Sequence, residues 1–243
     1  MVTETELMES LRDSVALVIP CYNAGNRLFP VVEAARRLVD NVIVVDDGST
    51  DGAVDSVDGL GAQIAHFPEN RGKGYALLEG FRLALGSSRS TCVAVIDADG
   101  QHDPSELPVL YRAFAEQHAD LVIGARRFEA AHVPWPSRVG NLATITVMTA
   151  LLGQRIPDTQ SGYRLHSRRF LEDVLRSVAG GRYETETEIL VKAVAEGYTV
   201  ISVPIQTIYE TGNPSSHFKR VGDSLRIYAR LFRAVWKVKT GSR

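Results

Sequence analysis

Two cysteines in 243 residues are too few for a disulfide-stapled scaffold. Cys21 and Cys92 each sit at or beside an apolar run, and they read as small core hydrophobes in a reducing compartment. Long hydrophobic runs are also missing. The longest, Leu142 to Leu152, is broken by threonines and falls well short of the roughly 20 residues a membrane span requires. Met1 to Arg12 is polar and acidic, which is not the composition of a signal peptide. The net charge is only −2, so the chain as a whole carries no signature of nucleic-acid binding. No Gly-x-Gly-x-x-Gly follows the first strand-like run and no Walker A loop occurs, which argues against a dinucleotide dehydrogenase and a P-loop NTPase. There is no internal repeat and no low-complexity segment. What is there is an ordinary globular composition, 44% hydrophobic and 23% charged, in a length suited to one large domain with a substantial core.

Val15 to Ile19 predicts a first buried strand, stopped by Pro20. An amphipathic helix from Arg27 to about Val39 follows, with Leu28, Val31, Val32, Ala35 and Leu38 on one side. Further strands are expected at Val42–Val45, Ala62–Phe67, the run ending at Asp97, and Asp120–Gly124. Helices are expected from Asn70–Gly74 through Leu85, from Pro104 to about Gln117, and from Glu184 to near Glu196. This alternation indicates an α/β fold with a mostly parallel sheet and helices on both faces.

The chemistry-bearing residues cluster where such sheets bind ligands, outside the carboxyl ends of the strands. Four polar loops fall there: Pro20–Gly25, Asp46–Gly52, Asp97–His102 and Gly124–Arg127. Asp97 and Asp99 are alternate residues on extended chain, so their carboxylates can converge on one point. Mg²⁺ or Mn²⁺ wants oxygen ligands and commonly takes one or two carboxylates plus substrate phosphates. Lys73, beside two glycines at a helix start, suits a phosphate, although a flexible helix entry would look the same. Together these loops point to a nucleotide-type ligand.

Ile19-Pro20-Cys21-Tyr22-Asn23, Val45-Asp46-Asp47-Gly48-Ser49-Thr50-Asp51, Asn70-Arg71-Gly72-Lys73-Gly74 and Asp97-Ala98-Asp99-Gly100-Gln101-His102 resemble, in this order, the family 2 glycosyltransferases. Within that family the chain is similar to the polyprenyl-phosphate sugar synthases, of the dolichyl-phosphate mannose synthase type, over residues 14–210. The resemblance implies a GT-A fold, a nucleotide-diphospho-sugar donor, a divalent metal (Mg²⁺ or Mn²⁺) and inversion at the anomeric carbon. It places Pro20, Tyr22 and Asn23 against the nucleoside and an Asp of the Asp46–Asp47 pair on the base. Gly48, Ser49, Lys73 and Ala98 then count among the donor contacts. Asp97 would lie near ribose and metal, Asp99 would bind the metal directly, and Gln101 would complete its protein ligands. Ala24 departs from the pattern, because many relatives carry a glutamate there.

In the second half, Arg126 and Arg138 match arginines that hold the acceptor phosphate in the relatives; pairing with surface carboxylates is the structural alternative. A guanidinium fork can bind two phosphate oxygens, which lysine cannot. Ile156 to Arg164 resembles a segment lying over the donor sugar, with Asp158 nearest the chemistry or, alternatively, capping a turn. Glu184, Glu186 and Glu188 open a helix, where the helix dipole favours acidic residues without any function. Residues 1–13 read as a polar tail and residues 211–243 as a basic amphipathic helix: from Lys219 to Arg243 there are eight basic residues and one acidic. Such a helix can lie on an anionic lipid surface or dock on the protein's own core. The implied reaction moves a hexose from GDP-mannose or UDP-glucose to a polyprenyl or dolichyl phosphate, by an enzyme peripheral at the cytoplasmic membrane face. Alternatives are a soluble family 2 enzyme with a small hydroxyl or phosphorylated acceptor and, more remotely, a non-catalytic nucleotide-sugar-binding protein.

Overall fold

The computed structural model describes residues 3–126, 149, 153 and 156–206. Arg127, Arg138 and the basic segment 211–243 lie outside the described residues.

The element order is α1 (Glu4–Ser14), β1 (Val15–Cys21), α2 (Leu28–Leu38), β2 (Asn41–Asp46), β3 (Gln63–His66), α3 (Lys73–Gly86), β4 (Cys92–Val95), α4 (Leu107–Gln117), β5 (Leu121–Arg126), β6 (Arg164–Ser167), α5 (Arg168–Ser177), α6 (Glu184–Ala195) and β7 (Val200–Ile205). The seven strands form one sheet in the order β3-β2-β1-β4-β6-β5-β7. All neighbours pair in parallel except at β6, which runs antiparallel to both β4 and β5. β1 is buried along its whole length because helices cover both faces of the sheet, which is why it reads as a continuous apolar run. α1, α2 and α4 pack one face through Leu11, Leu28, Val32 and Leu110. α3, α5 and α6 pack the other through Leu77, Phe81, Phe170 and Leu190. Gly80 lets α3 approach β1, since a Cβ there would sit 2.3 Å from the Val18 side chain. Cys21 and Cys92 are free and buried, and burial pushes the Cys92 thiol up to about 12.

Four elements differ from the sequence expectation, one of them α5, where no helix was expected. The polar start of the chain is helix α1, nucleated by a capping box in which the Thr3 hydroxyl accepts from the Glu6 N–H and the Glu6 carboxylate accepts from the Thr3 N–H. Its Leu7 and Leu11 are buried, so the packed unit begins at residue 4 and not at residue 14. β6 and β7 were not expected as strands at all. β6 determines where the site forms. Its antiparallel register sets Arg164 opposite Val95 of β4 and Ile123 of β5. The segment leading into it, residues 158–163, therefore lies at the same sheet edge as Asp97 and Arg126.

His166 on β6 is buried between Phe81 and Phe170, with ring centroids 5.4 and 6.3 Å away, and its Nδ1 lies 3.3 Å from the Val93 carbonyl. Burial, helped by the Arg164 charge, pushes its pKa down to about 3. The unfolded chain then binds more protons than the fold between about pH 3 and the ordinary imidazole value of about 6.5, so stability is full above that window and lost as pH falls through it. His166→Phe is expected to flatten the pH dependence of unfolding free energy in this window, by at most about 1.4 kcal/mol per pH unit. Denaturant titrations at pH 7, 6, 5 and 4 measure it; parallel curves for variant and parent would place the acid sensitivity elsewhere.

Candidate active site

The carboxyl edge of the sheet is a set of loops tied to one another by side chain–backbone hydrogen bonds. In the β1–α2 loop, Asn23 adopts a left-handed conformation (φ 49°) that its short polar side chain tolerates. Its N–H donates to the Ser49 hydroxyl (3.0 Å), and its side-chain oxygen accepts from the Thr50 N–H (2.8 Å). The Gly25 N–H donates to Asp51 (2.7 Å). Asn23 and Gly25 are thus tied to the β2 loop, Pro20 pairs with Val45 of β2, and Tyr22 is exposed.

The two aspartates ending β2 are both buried but bonded differently. Asp46 accepts from the Ser49 N–H (2.8 Å) and lies 3.1 Å from Nδ1 of His66 on β3. Asp47 accepts from the N–H groups of Arg71 (2.7 Å) and Gly72 (2.9 Å). Burial raises the Asp47 pKa despite these two donors. Gly48 is required here, since its φ is +74° and a Cβ would lie 2.5 Å from the Glu69 carbonyl carbon. Asp47 and Gly48 therefore hold the Asp-Asp-Gly loop against the Asn-Arg-Gly-Lys loop that opens α3.

Lys73, the first residue of α3, turns inward. Its Nζ is 2.6 Å from Asp97 and 3.0 Å from Glu186 of α6. Burial opposes ionisation of Asp97, but Lys73, with smaller help from His102 and Arg126, holds the carboxyl below its ordinary value. Asp99 has the opposite fate: burial and the Asp97 charge push it up to about 6, and it accepts from the Gln101 N–H (3.0 Å). Ala98 between them is buried. Gly162 backs Asp97 so closely that a Cβ would meet its carboxylate at 2.2 Å.

Asp158 is fully buried and gripped by Arg126. Arg126 donates Nε to Oδ2 (2.7 Å), Nη2 to Oδ1 (3.0 Å) and its backbone N–H to Oδ2 (3.2 Å). The Gln160 N–H also donates to Asp158 (3.1 Å), so the turn-capping role is met as well. Arg164, also buried, gives Nη2 to the Thr159 carbonyl, Nε to that of Ser161 and Nη1 to that of Glu186, at 2.8–2.9 Å. It ties the Asp158 loop to the start of α6. Tyr163 donates its hydroxyl to the Pro104 carbonyl (3.1 Å), pinning the loop from its other end.

The structure thus brings Lys73, Asp97, Asp99, Arg126 and Asp158 to one edge. Glu186 and Arg164 belong with them; the sequence named Glu186 only as one of three glutamates and Arg164 only as the end of a polar block. Three alternating glutamates at a helix start carry no signal of which one turns inward.

Among the described residues no group of three His, Cys, Asp or Glu side chains gathers as metal ligands. The donor set present is two carboxylates, Asp97 and Asp99, with the Gln101 amide on the same loop. Such an all-oxygen, two-carboxylate set fits Mg²⁺ or Mn²⁺ that takes its remaining ligands from water and a bound diphosphate.

Residues 16–175 match the family model described as "Glycosyl transferase family 2". The chain belongs to glycosyltransferase family 2. Among similar proteins is the polyprenol monophosphomannose synthase of Mycolicibacterium smegmatis, 34% identical over 78% of this chain and 75% of that one. Another is the UDP-N-acetylglucosamine–dolichyl-phosphate N-acetylglucosaminyltransferase of Methanococcus voltae, 28% identical over 93% and 96%. Of solved structures, glucosyl-3-phosphoglycerate synthase from Mycobacterium tuberculosis, in complex with Mn²⁺, UDP and phosphoglyceric acid, superposes with a TM-score of 0.74. It is 23% identical, and the match covers 96% of this chain and 82% of that one. The GT-A architecture expected for a family 2 glycosyltransferase is the one observed.

Proposed function

We propose that this enzyme transfers a hexose from a nucleotide-diphospho-sugar, GDP-mannose or UDP-glucose, to a polyprenyl phosphate. The observation that carries the reading is the Arg126–Asp158 pair: a guanidinium oriented by a fully buried carboxylate, at the same sheet edge as the Asp97–Asp99 loop. Asp158 takes both Nε and Nη2 of the fork, so the pair fixes a cation at this edge for an acceptor phosphate rather than offering the fork itself. An Asp158 carboxylate already bound through both oxygens is poorly placed to take a proton.

Pro20, Tyr22, Asn23, Asp46, Asp47, Gly48 and Ser49 form the nucleoside pocket, and Lys73 and Ala98 line the diphosphate. Asp97, Asp99 and Gln101 would hold Mg²⁺ or Mn²⁺, which when bound would supply positive charge to neutralise the leaving diphosphate. Arg126, together with Arg138, positions the acceptor. A phosphate monoester is mostly ionised at pH 7, its second pKa being about 6. Its oxygen forms the new bond to the anomeric carbon as the bond to the diphosphate breaks, with inversion and with no proton to remove. Positioning and charge stabilisation then carry the catalysis.

No helix among the described residues is long and apolar enough to cross a membrane. In this reading the basic segment 211–243 brings the enzyme to the lipid surface at the cytoplasmic face, as a peripheral protein. A small phosphorylated acceptor is the second reading, prompted by the phosphoglyceric acid in the solved neighbour.

The test is a transfer assay crossing GDP-mannose, UDP-glucose and UDP-N-acetylglucosamine with a short-chain polyprenyl phosphate and with 3-phosphoglycerate. One donor should give a chelator-sensitive polyprenyl-phosphate sugar. Transfer to phosphoglycerate alone would overturn the lipid acceptor in favour of the second reading.

A further inference from the structure

Lys73 is placed between two carboxylates, not against one. Its ammonium lies 2.6 Å from Asp97 and 3.0 Å from Glu186, and its side chain is only 16% exposed. The groups around it are rigidly mounted. The Gly74 N–H donates to the Gly181 carbonyl (2.9 Å), and a Cβ at Gly74 would strike the Thr185 hydroxyl at 2.1 Å, so the starts of α3 and α6 are in backbone contact. Gly162 closes the space behind Asp97. Arg164 clamps the Glu186 carbonyl to the loop in front of β6. A lysine with three donors and two fixed acceptors can lean on either without leaving its pocket.

We propose that Lys73, braced by Glu186, is a built-in counter-ion that competes with a divalent cation for Asp97. Metal then binds tightly only when it arrives with a nucleoside diphosphate whose phosphate takes over the lysine. This rests on the assignment of Asp97 and Asp99 as the cation site. Glu186 is a positioning residue: it offers Lys73 somewhere to go when Asp97 turns to the metal. A cation within about 4–6 Å changes a carboxylate's affinity for a proton by about 10- to 1000-fold, and the same electrostatics act on a metal ion.

Mn²⁺ binding, followed by electron paramagnetic resonance with and without UDP or GDP, tests the idea without reference to turnover. The parent should bind Mn²⁺ weakly alone and roughly tenfold or more tightly with a nucleoside diphosphate. Lys73→Met should bind Mn²⁺ alone roughly tenfold or more tightly than the parent, and the added nucleotide should gain less. Glu186→Gln, leaving Lys73 no second anionic partner, should weaken Mn²⁺. In the Lys73→Met background the same Glu186→Gln change should have little further effect, because the glutamate acts through the lysine. Lys73→Gln gives a second neutral variant should the Met variant not fold. A neutral variant that binds Mn²⁺ no more tightly than the parent overturns the proposal. So does a Glu186→Gln effect equal in both backgrounds, which would mark a general field. If no form binds Mn²⁺ even with either nucleotide, the cation-site assignment itself fails.

Discussion

Asp99→Ala is expected to reduce sugar transfer by about 10³-fold or more while the protein keeps its fold. A metal supplies several kcal/mol of charge stabilisation to a departing diphosphate, and each 1.36 kcal/mol is about tenfold in rate. Retention of the fold follows from the electrostatics of Asp99. Burial and the neighbouring Asp97 charge push the Asp99 carboxyl up to about 6, so its ionised form is disfavoured in the metal-free fold. A group that destabilises its own charged form contributes nothing to stability at neutral pH that a neutral side chain would lose. Asp99→Asn should therefore unfold at the same temperature as the parent or higher when no divalent cation is present. Added Mn²⁺ with nucleotide should raise the unfolding temperature of the parent but not of the variant. Thermal unfolding and initial rates on the same preparations measure both. Parent-level turnover by Asp99→Ala, or by the parent in excess chelator, would remove the metal from the mechanism.

Arg126→Ala is the second large effect, and it divides between catalysis and stability. Arg126 supplies two side-chain donors to an Asp158 that has no exposure to solvent. Removing one partner of a buried ion pair leaves an uncompensated charge, at a cost of roughly 3–5 kcal/mol. The Asp158 loop would then be expected to open. If Arg126 also holds the acceptor phosphate, kcat/KM for the acceptor should fall by roughly 10²–10³-fold, in line with loss of one preorganised charge-stabilising donor. Donor affinity should change little. Asp158→Asn separates the acceptor classes. It keeps the shape of the pair but loosens the fork, so with an ionised phosphate acceptor the KM should rise and much of kcat should remain. With a hydroxyl acceptor Asp158 would be the general base, and kcat should drop by about 10²–10⁴-fold. Arg138→Ala should follow Arg126→Ala in acceptor kinetics. Parent-like acceptor kinetics in both arginine variants would rule out the phosphate clamp.

Local patterning determined much of this protein without tertiary information. β1 and β2 are apolar, β-branched runs because they lie at the centre of a sheet covered on both faces, and the sequence expectation met them within a residue or two. The amphipathic stripe of α2 ended where the helix ends, and Asp103-Pro104 marked the 3₁₀ turn Pro104–Glu106 that leads into α4, with the Asp103 side chain accepting from the Ser105 N–H. The polar loops were legible because the parallel strands all put the loops that follow them at one edge.

β6 was not legible. Arg164-Leu165-His166-Ser167 has neither an apolar run nor alternation, yet all four residues are buried. The polar ones are satisfied by partners far away in sequence, such as the Val93 carbonyl for His166 and Asp120 for Ser167. β7 contains Pro204, which argues against a central strand and is tolerated here because β7 lies at the sheet edge. The choice of Glu186 for Lys73, and of Asp158 for Arg126, belongs to tertiary structure for the same reason. Charge pairing has no periodicity to read: it depends on which chain segments the antiparallel β6 and the contact between the starts of α3 and α6 bring within 3 Å.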